Sequence, residues 1–260
     1  MKLTASAVVA AISGPLAAQE SDAQAEYAKA IAAYNSKDFQ TAAPILIDLC
    51  EKGYVQTCAV AGKLVASGMG LEQDVSKALK LFTIGCSGKI VDSCRNAAMV
   101  HEQAAPPIRN QEKAAGFELK ACDLGDMRSC QKLGHRYTTG VGAEKDRETA
   151  FYLSNKACEG NDGEGCADMG RLYLPFPRNQ EEGPQYDPAK AAEYYRKACD
   201  LKSGRGCSLL ADKHETGVGV EKDLDKALEL YKLALTYNPE QWVQNSTKGA
   251  IRRLEAAKAN

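Results

Sequence analysis

Missing from this sequence is any block of lysine and arginine: 33 basic residues are scattered among 34 acidic ones, for a formal charge of −1. Phosphate backbones are held by clustered cations, so no nucleic-acid partner is expected. Also missing is an apolar run approaching the roughly 20 residues that a membrane-spanning helix requires. The redox C-x-x-C pair, the C-x-x-C-H haem attachment and the H-E-x-x-H metalloprotease motif are absent. No cysteine is left over as a lone thiol nucleophile, because all ten fall into pairs.

Those pairs are what the chain is organised around. Cys50/Cys58, Cys86/Cys94, Cys122/Cys130, Cys158/Cys166 and Cys199/Cys207 each enclose seven residues, and their first members follow one another at 36, 36, 36 and 41 residues. A period of that length marks a stacked repeat. Zinc sites commonly keep two to four residues inside a cysteine pair, which seven does not match. An even set of regularly spaced cysteines reads instead as disulfides formed in an oxidising compartment.

Counting back from the first cysteine of each pair, position −8 is Ala42, Ala78, Ala114, Ala150 and Ala191, and position −12 is Asp38, Asp74, Asn110, Asp146 and Asp187. Short polar side chains of that kind cap the free N–H groups of a first helical turn, so a helix is expected from each of them to about the cysteine. The same offsets give Asp223 and Ala227, with Leu235 where a cysteine would stand, so a sixth unit exists without its bridge.

After each second cysteine, small or apolar residues at +3 and +4 and Val65, His101, Tyr137, Tyr173 and His214 at +7 outline the packed stripe of a second helix. Three of these helices run into Gly-x-Gly, at Gly68/Gly70, Gly140/Gly142 and Gly217/Gly219; the other two meet Ala104-Ala-Pro-Pro107 and Pro175-Phe-Pro177. Glycine ends helices because it accepts left-handed backbone angles cheaply.

The expected fold is all-α, a right-handed α/α solenoid of disulfide-bridged helix hairpins. Residues 22–35, with Tyr27, Ala30, Ile31 and Tyr34, read as its opening helix. Three parts follow: a secretory signal at 1–18, with Lys2 before the small, apolar run Leu3–Ile12; six units over 19–238; and a capping helix at 239–260, opened by Pro239, with Trp242 packing on the sixth unit.

The run Leu133-Gly-His-Arg-Tyr137, Gly140-Val-Gly142, Lys145-Asp146, Ala150, Tyr152 and Ala157-Cys158 resembles the Sel-one-like repeat, a relative of the tetratricopeptide repeat. With paired cysteines it is similar to the cysteine-rich secreted branch of that family, the Helicobacter cysteine-rich proteins. The resemblance implies a periplasmic or secreted solenoid that binds proteins or peptides, a peptidoglycan fragment or a β-lactam. Weak β-lactamase activity and, from a mitochondrial branch, haem binding or cytochrome oxidase assembly are its alternatives.

Chemistry is faint by comparison. Ser129-Cys-Gln-Lys132 fits the S-x-x-K pattern of serine β-lactamases, yet the S-D-N and K-T-G partners are missing and capping of a helix accounts for Ser129. His101 and His214 share a repeat position with Tyr137 and Tyr173 and read as packing residues; His135 lies outside that register. What varies from rung to rung is position +5 (Lys63, Met99, His135, Arg171, Asp212) and position +2 (Val60, Asn96, Lys132, Asp168, Leu209).

Such rows line the concave face of a solenoid. The candidate ligand-binding residues are therefore Asn96, Lys132, His135, Asp168, Arg171 and Asp212, with no catalytic residue, metal or cofactor assigned. The extra residues between Pro175 and Pro188 read as a tolerated loop insertion.

Overall fold

The computed structural model describes residues 15–174, 186–237 and 240–259, and these form thirteen α-helices and no strand. Residues 1–14 of the expected leader lie outside the described residues, and 15–18 form the first turn of α1. The chain divides into two compact units. The first, ending at Leu124, holds α1 (Pro15–Asn35), α2 (Phe39–Glu51), α3 (Val55–Ser67), α4 (Val75–Ser87), α5 (Val91–Gln103) and α6 (Gln111–Asp123). The second, from Gly125, holds α7 (Met127–Thr139), α8 (Arg147–Glu159), α9 (Gly163–Leu172), α10 (Pro188–Asp200), α11 (Gly204–Thr216), α12 (Leu224–Thr236) and α13 (Gln241–Ala259).

Helix starts fall where the polar caps predict them. Asp38, Asp74, Asn110, Asp146, Asp187 and Asp223 each accept a hydrogen bond from the backbone N–H three residues on, at 3.2, 2.8, 2.8, 3.0, 3.0 and 2.9 Å. The alanines at −8 are fully buried. Four bridges join successive helices, Cys50–Cys58, Cys86–Cys94, Cys158–Cys166 and Cys199–Cys207, with Cα separations of 4.9, 4.6, 4.5 and 4.4 Å. Cys122 and Cys130 are disulfide-bonded too, and no described cysteine is free.

Within each unit the helices stack as antiparallel neighbours around an apolar core. In the first unit Leu46, Leu64, Val65, Leu81 and Phe82 fill it; in the second, Met169, Leu172, Tyr195 and Leu210 do so. Each of α3, α5, α9 and α11 packs more extensively on the helix that follows it than on the one it is bridged to. The reason is a small residue set against a large one: the Phe82 ring lies on Gly62 and the Tyr195 ring on Gly170, where an added Cβ would stand 2.4 Å from either ring.

Gly68, Gly140 and Gly217 end their helices at φ 69°, 81° and 76°. The second glycine of the motif has a separate duty. Gly219, at φ +81°, presses on the start of α10, and a Cβ there would lie 2.0 Å from the Pro188 carbonyl oxygen. Gly219→Ala is therefore expected to cost about 2–4 kcal/mol, combining left-handed strain with a backbone clash. Gly249→Ala on α13, where nothing lies within 4 Å, should instead stabilise by about 0.5–1 kcal/mol. Urea unfolding of the two variants separates these signs.

The last helix corrects one expectation. Trp242 does not pack on the sixth unit: it is 58% exposed, and its indole N–H donates to Glu240 at 2.6 Å. Val243, Ala250 and Leu254 are the buried residues, and Val243 stands where the missing second cysteine would be. Pro239 lies outside the described residues, as does 175–185 of the inserted loop.

Candidate ligand-binding face

The odd-numbered helices α7, α9, α11 and α13 lie side by side in the second unit. Lys132 and His135 come from α7, Asp168 and Arg171 from α9 and Asp212 from α11, so these five candidates share one layer of helices. Asn96 belongs to α5 in the first unit, half-buried, on the helix that also carries Asp92, Arg95 and the exposed Met99. Lys63 Nζ of α3 lies 3.9 Å from Asp92, which is 2.8 Å from Arg95. An apolar hollow of about 360 Å³ opens in the first unit among Ala66, Val75, Met99, Val100, Ala104 and Ile108.

Sequence reasoning missed what ties the second unit's inner helices together. Arg205 of α11 is buried, and its Nε donates to Glu164 at 2.7 Å while Nη2 donates to Asp168 at 2.7 Å and to the Glu164 carbonyl at 3.0 Å. Gln131 of α7 donates to the other oxygen of Asp168 at 2.6 Å, and Ser203 donates to Glu164 at 2.6 Å. A polar ladder thus runs across α7, α9 and α11.

Burial opposes charge on Arg205, but Asp168 and Glu164 overcome it and hold the guanidinium above its ordinary pKa. A signal was present: two residues before the second cysteine the chain reads Asp92, Arg128, Glu164 and Arg205, opposite signs on successive rungs.

The +5 row is looser. Among the described residues Arg171 meets Asp168, whose oxygens are already engaged, at 4.0 Å, and its side chain is 42% exposed. Asp212 pairs with Lys213 at 2.9 Å. His135 is exposed by area yet set among enough protein that desolvation lowers its pKa; Asp168 and Glu240 oppose that shift, while Arg171 and Arg205 add to it.

His101 and His214 are packing residues, as their register predicts. Their Nδ1 atoms lie 2.9 Å from the Ile108 carbonyl and 3.1 Å from the Glu221 carbonyl, fastening each helix to the loop after it. Ser129 has a different place from the one expected: Asp126 caps α7, and the Ser129 hydroxyl donates to that carboxylate at 2.6 Å. Among the described residues no three His, Cys, Asp or Glu side chains are gathered as a metal site would need.

Stacked antiparallel helices joined by short turns, with a polar layer along one set of them, define an α/α repeat protein. The Sel1 repeat model matches residues 59–89, 91–126, 128–162, 163–203 and 205–236, and the chain belongs to that family. Each matched segment pairs an odd-numbered helix with the helix after it, so the Cys86–Cys94, Cys158–Cys166 and Cys199–Cys207 bridges each link one repeat to the next.

The chain is 30% identical over 173 residues to cytochrome c oxidase assembly factor 7 of Xenopus tropicalis, covering 64% of this chain and 73% of that protein. A shorter stretch of 49 residues is 45% identical to β-lactamase HcpA of Helicobacter pylori, 19% of this chain and 20% of that one. In structure it is similar to a Sel1 repeat protein from Oxalobacter formigenes, with TM-score 0.71 at 23% identity over 82% of this chain and 85% of that one. That likeness is one of fold.

Proposed function

We propose that this protein is an exported binding and scaffold module that holds a protein or peptide partner on the face formed by α7, α9 and α11 of its second unit. The observation that carries the reading is the contrast between a tied ladder and a free row. Arg205, Glu164, Asp168 and Gln131 satisfy one another, while His135 and Arg171 beside them stay exposed and, among the described residues, without a short ion pair. Groups fixed to rigid helices but not consumed by the fold suit recognition, because little ordering remains to be done on binding.

Oxidation of the cysteines fits an oxidising, extracytoplasmic compartment, and the leader-like residues 1–18 support a periplasmic or secreted site. A peptidoglycan fragment or a β-lactam is the small-ligand version of this reading. Hydrolysis of the latter has no support in the site, since Ser129 is spent on Asp126.

Substituting His135 and Arg171 together by alanine is expected to abolish capture of the partner from native cell-envelope extract while leaving the melting temperature nearly unchanged. Undiminished capture sinks the proposal.

A second reading, a part in cytochrome oxidase assembly, is favoured by the 173-residue match to the Xenopus assembly factor. Oxidase activity that is unaltered in cells lacking the protein would remove it, and a spectral titration with haem checks its haem-binding form.

A further inference from the structure

We infer that the first unit carries a seat of its own for an arginine side chain of a partner. The aliphatic stem lies in the apolar hollow between α4 and the 104–110 connection, and the head meets Glu72 and Asp74. The seat stands apart from the face on α7, α9 and α11.

The hollow has a cause in the sequence. Gly70 and Gly219, at position +12 from the second cysteine, press on the first residue of the outer helix one repeat earlier. A Cβ on them would stand 2.1 Å from the Phe39 carbonyl oxygen and 2.0 Å from that of Pro188. After α5 the same position is Pro106, and the helix start that it faces is Val75. A proline ring cannot make an approach that depends on a missing Cβ. The connection therefore stands off α4, and the space of about 360 Å³ lined by Val75, Met99, Val100, Pro106 and Ile108 is the result.

Its walls are held in place by other bonds. His101 Nδ1 lies 2.9 Å from the Ile108 carbonyl, the Asn110 N–H donates to the His101 carbonyl at 2.8 Å, and the Ile108 N–H donates to the Ala105 carbonyl at 3.1 Å. Little ordering remains to be done when a guest arrives.

The second unit shows what chemistry suits this place in the repeat. Arg147, the first residue of α8, is the counterpart of Val75, and its guanidinium donates to the carbonyl of Leu172, the counterpart of Val100. There the chain lays its own arginine between the two positions. At α4 the half-buried Val75 is too short to do so.

Charge agrees with that guest. A second hollow, of about 460 Å³ and lined in part by Glu72, Asp74 and Lys77, adjoins the apolar one at Val75. Glu72 is exposed and, among the described residues, in no ion pair. The C-terminal turns of α3 and α5 reach the same space through Ala66 and Gln103, and helix C-termini favour cations. Lys77 offsets one of the two acids, and Arg109, exposed on the connection, opposes the guest from that side. An apolar passage leading to acids fits a long cation, which buries its stem and keeps its head in water.

The test is an NMR titration of the full chain labelled at methionine methyls. Exposed Met99 is the reporter, and buried Met169 of the second unit is the internal control. Three probes are compared: acetyl-Ala-Arg-Ala-amide, the same peptide with citrulline, which keeps the shape and loses the charge, and the same peptide with leucine. The arginine peptide should shift Met99 and leave Met169 in place, with citrulline and leucine several-fold weaker. Leucine as effective as arginine would make the hollow a seat for apolar side chains and overturn the inference, as would citrulline as effective as arginine or silence from all three.

Val75→Arg, which gives α4 the residue type that α8 has at Arg147, should plug the hollow and abolish the titration. Glu72→Gln, an exposed change that leaves the fold alone, should weaken it about two- to fivefold, as expected for loss of a surface ion pair. An unchanged titration in either variant overturns the seat.

Discussion

Replacing the pair Cys199 and Cys207 by alanine is expected to lower the unfolding free energy by about 2.5 kcal/mol, the chain-entropy value for a nine-residue loop. Both sulfurs are buried, Cys199 at 5% and Cys207 at 0% exposure, so alanine leaves a small cavity that adds to this. The rung itself should persist. Between α12 and α13 there is no bridge, yet Val243, Ala250 and Leu254 stay buried, and Lys232–Glu255 at 2.8 Å spans the pair.

Reduction of every bridge is another matter. The summed loss is on the order of 10 kcal/mol, as large as the whole stability of an ordinary domain, about 5–15 kcal/mol. Helical circular dichroism followed in urea should therefore show a midpoint displaced modestly for the double variant. With reductant present, helicity should be lost at low urea or in none. Helicity that survives reduction unchanged would mean that nearest-neighbour packing alone holds the stack.

The other large effect belongs to Arg205. Arg205→Met leaves Asp168, whose side chain is 8% exposed, buried without its cation, and Glu164 without its strongest partner. Removing one member of a buried pair costs about 3–5 kcal/mol, mostly the penalty on the charge left behind. Adding Asp168→Asn and Glu164→Gln to the same chain removes those charges, and the triple variant should regain most of the loss. Chemical unfolding of the single and triple variants measures both quantities. A single variant within about 1 kcal/mol of the parent would show that water reaches the ladder and screens it.

Why the caps and the packed faces could be read in advance, and the ladder could not, is a matter of range. A cap bond joins residues three apart, and a buried alanine obeys helical spacing, so Asp74 or Ala78 announces itself within one turn. The cysteine pairs close loops of nine residues and are nearly as local. Arg205 meets Asp168 across 37 residues and Glu164 across 41, a distance set by how successive repeats stack and by which rotamer the arginine takes.

Asp168 looked like a ligand contact because position +2 varies between rungs, yet in the fold that carboxylate is taken up by its neighbours. Asn96 followed the same rule and fell in the first unit. Trp242 was assigned to the core by size alone; on α13 the buried stripe falls on Val243, Ala250 and Leu254, and the indole points elsewhere.

The alternation of two kinds of connection has a consequence for a protease. Turns such as Lys52–Gly53–Tyr54 or Leu201–Lys202–Ser203 lie inside a disulfide ring, and the helices on either side share a covalent bond besides the backbone. A cut there opens a ring without separating anything. The Gly-x-Gly connections, such as Gly217 to Asp223, have no such second tether, and a cut there severs the polypeptide. In an enzyme-rich compartment the bridged turns are therefore spared as points of failure, and at Gly219 an unbridged one is where glycine is already pressed against the preceding repeat.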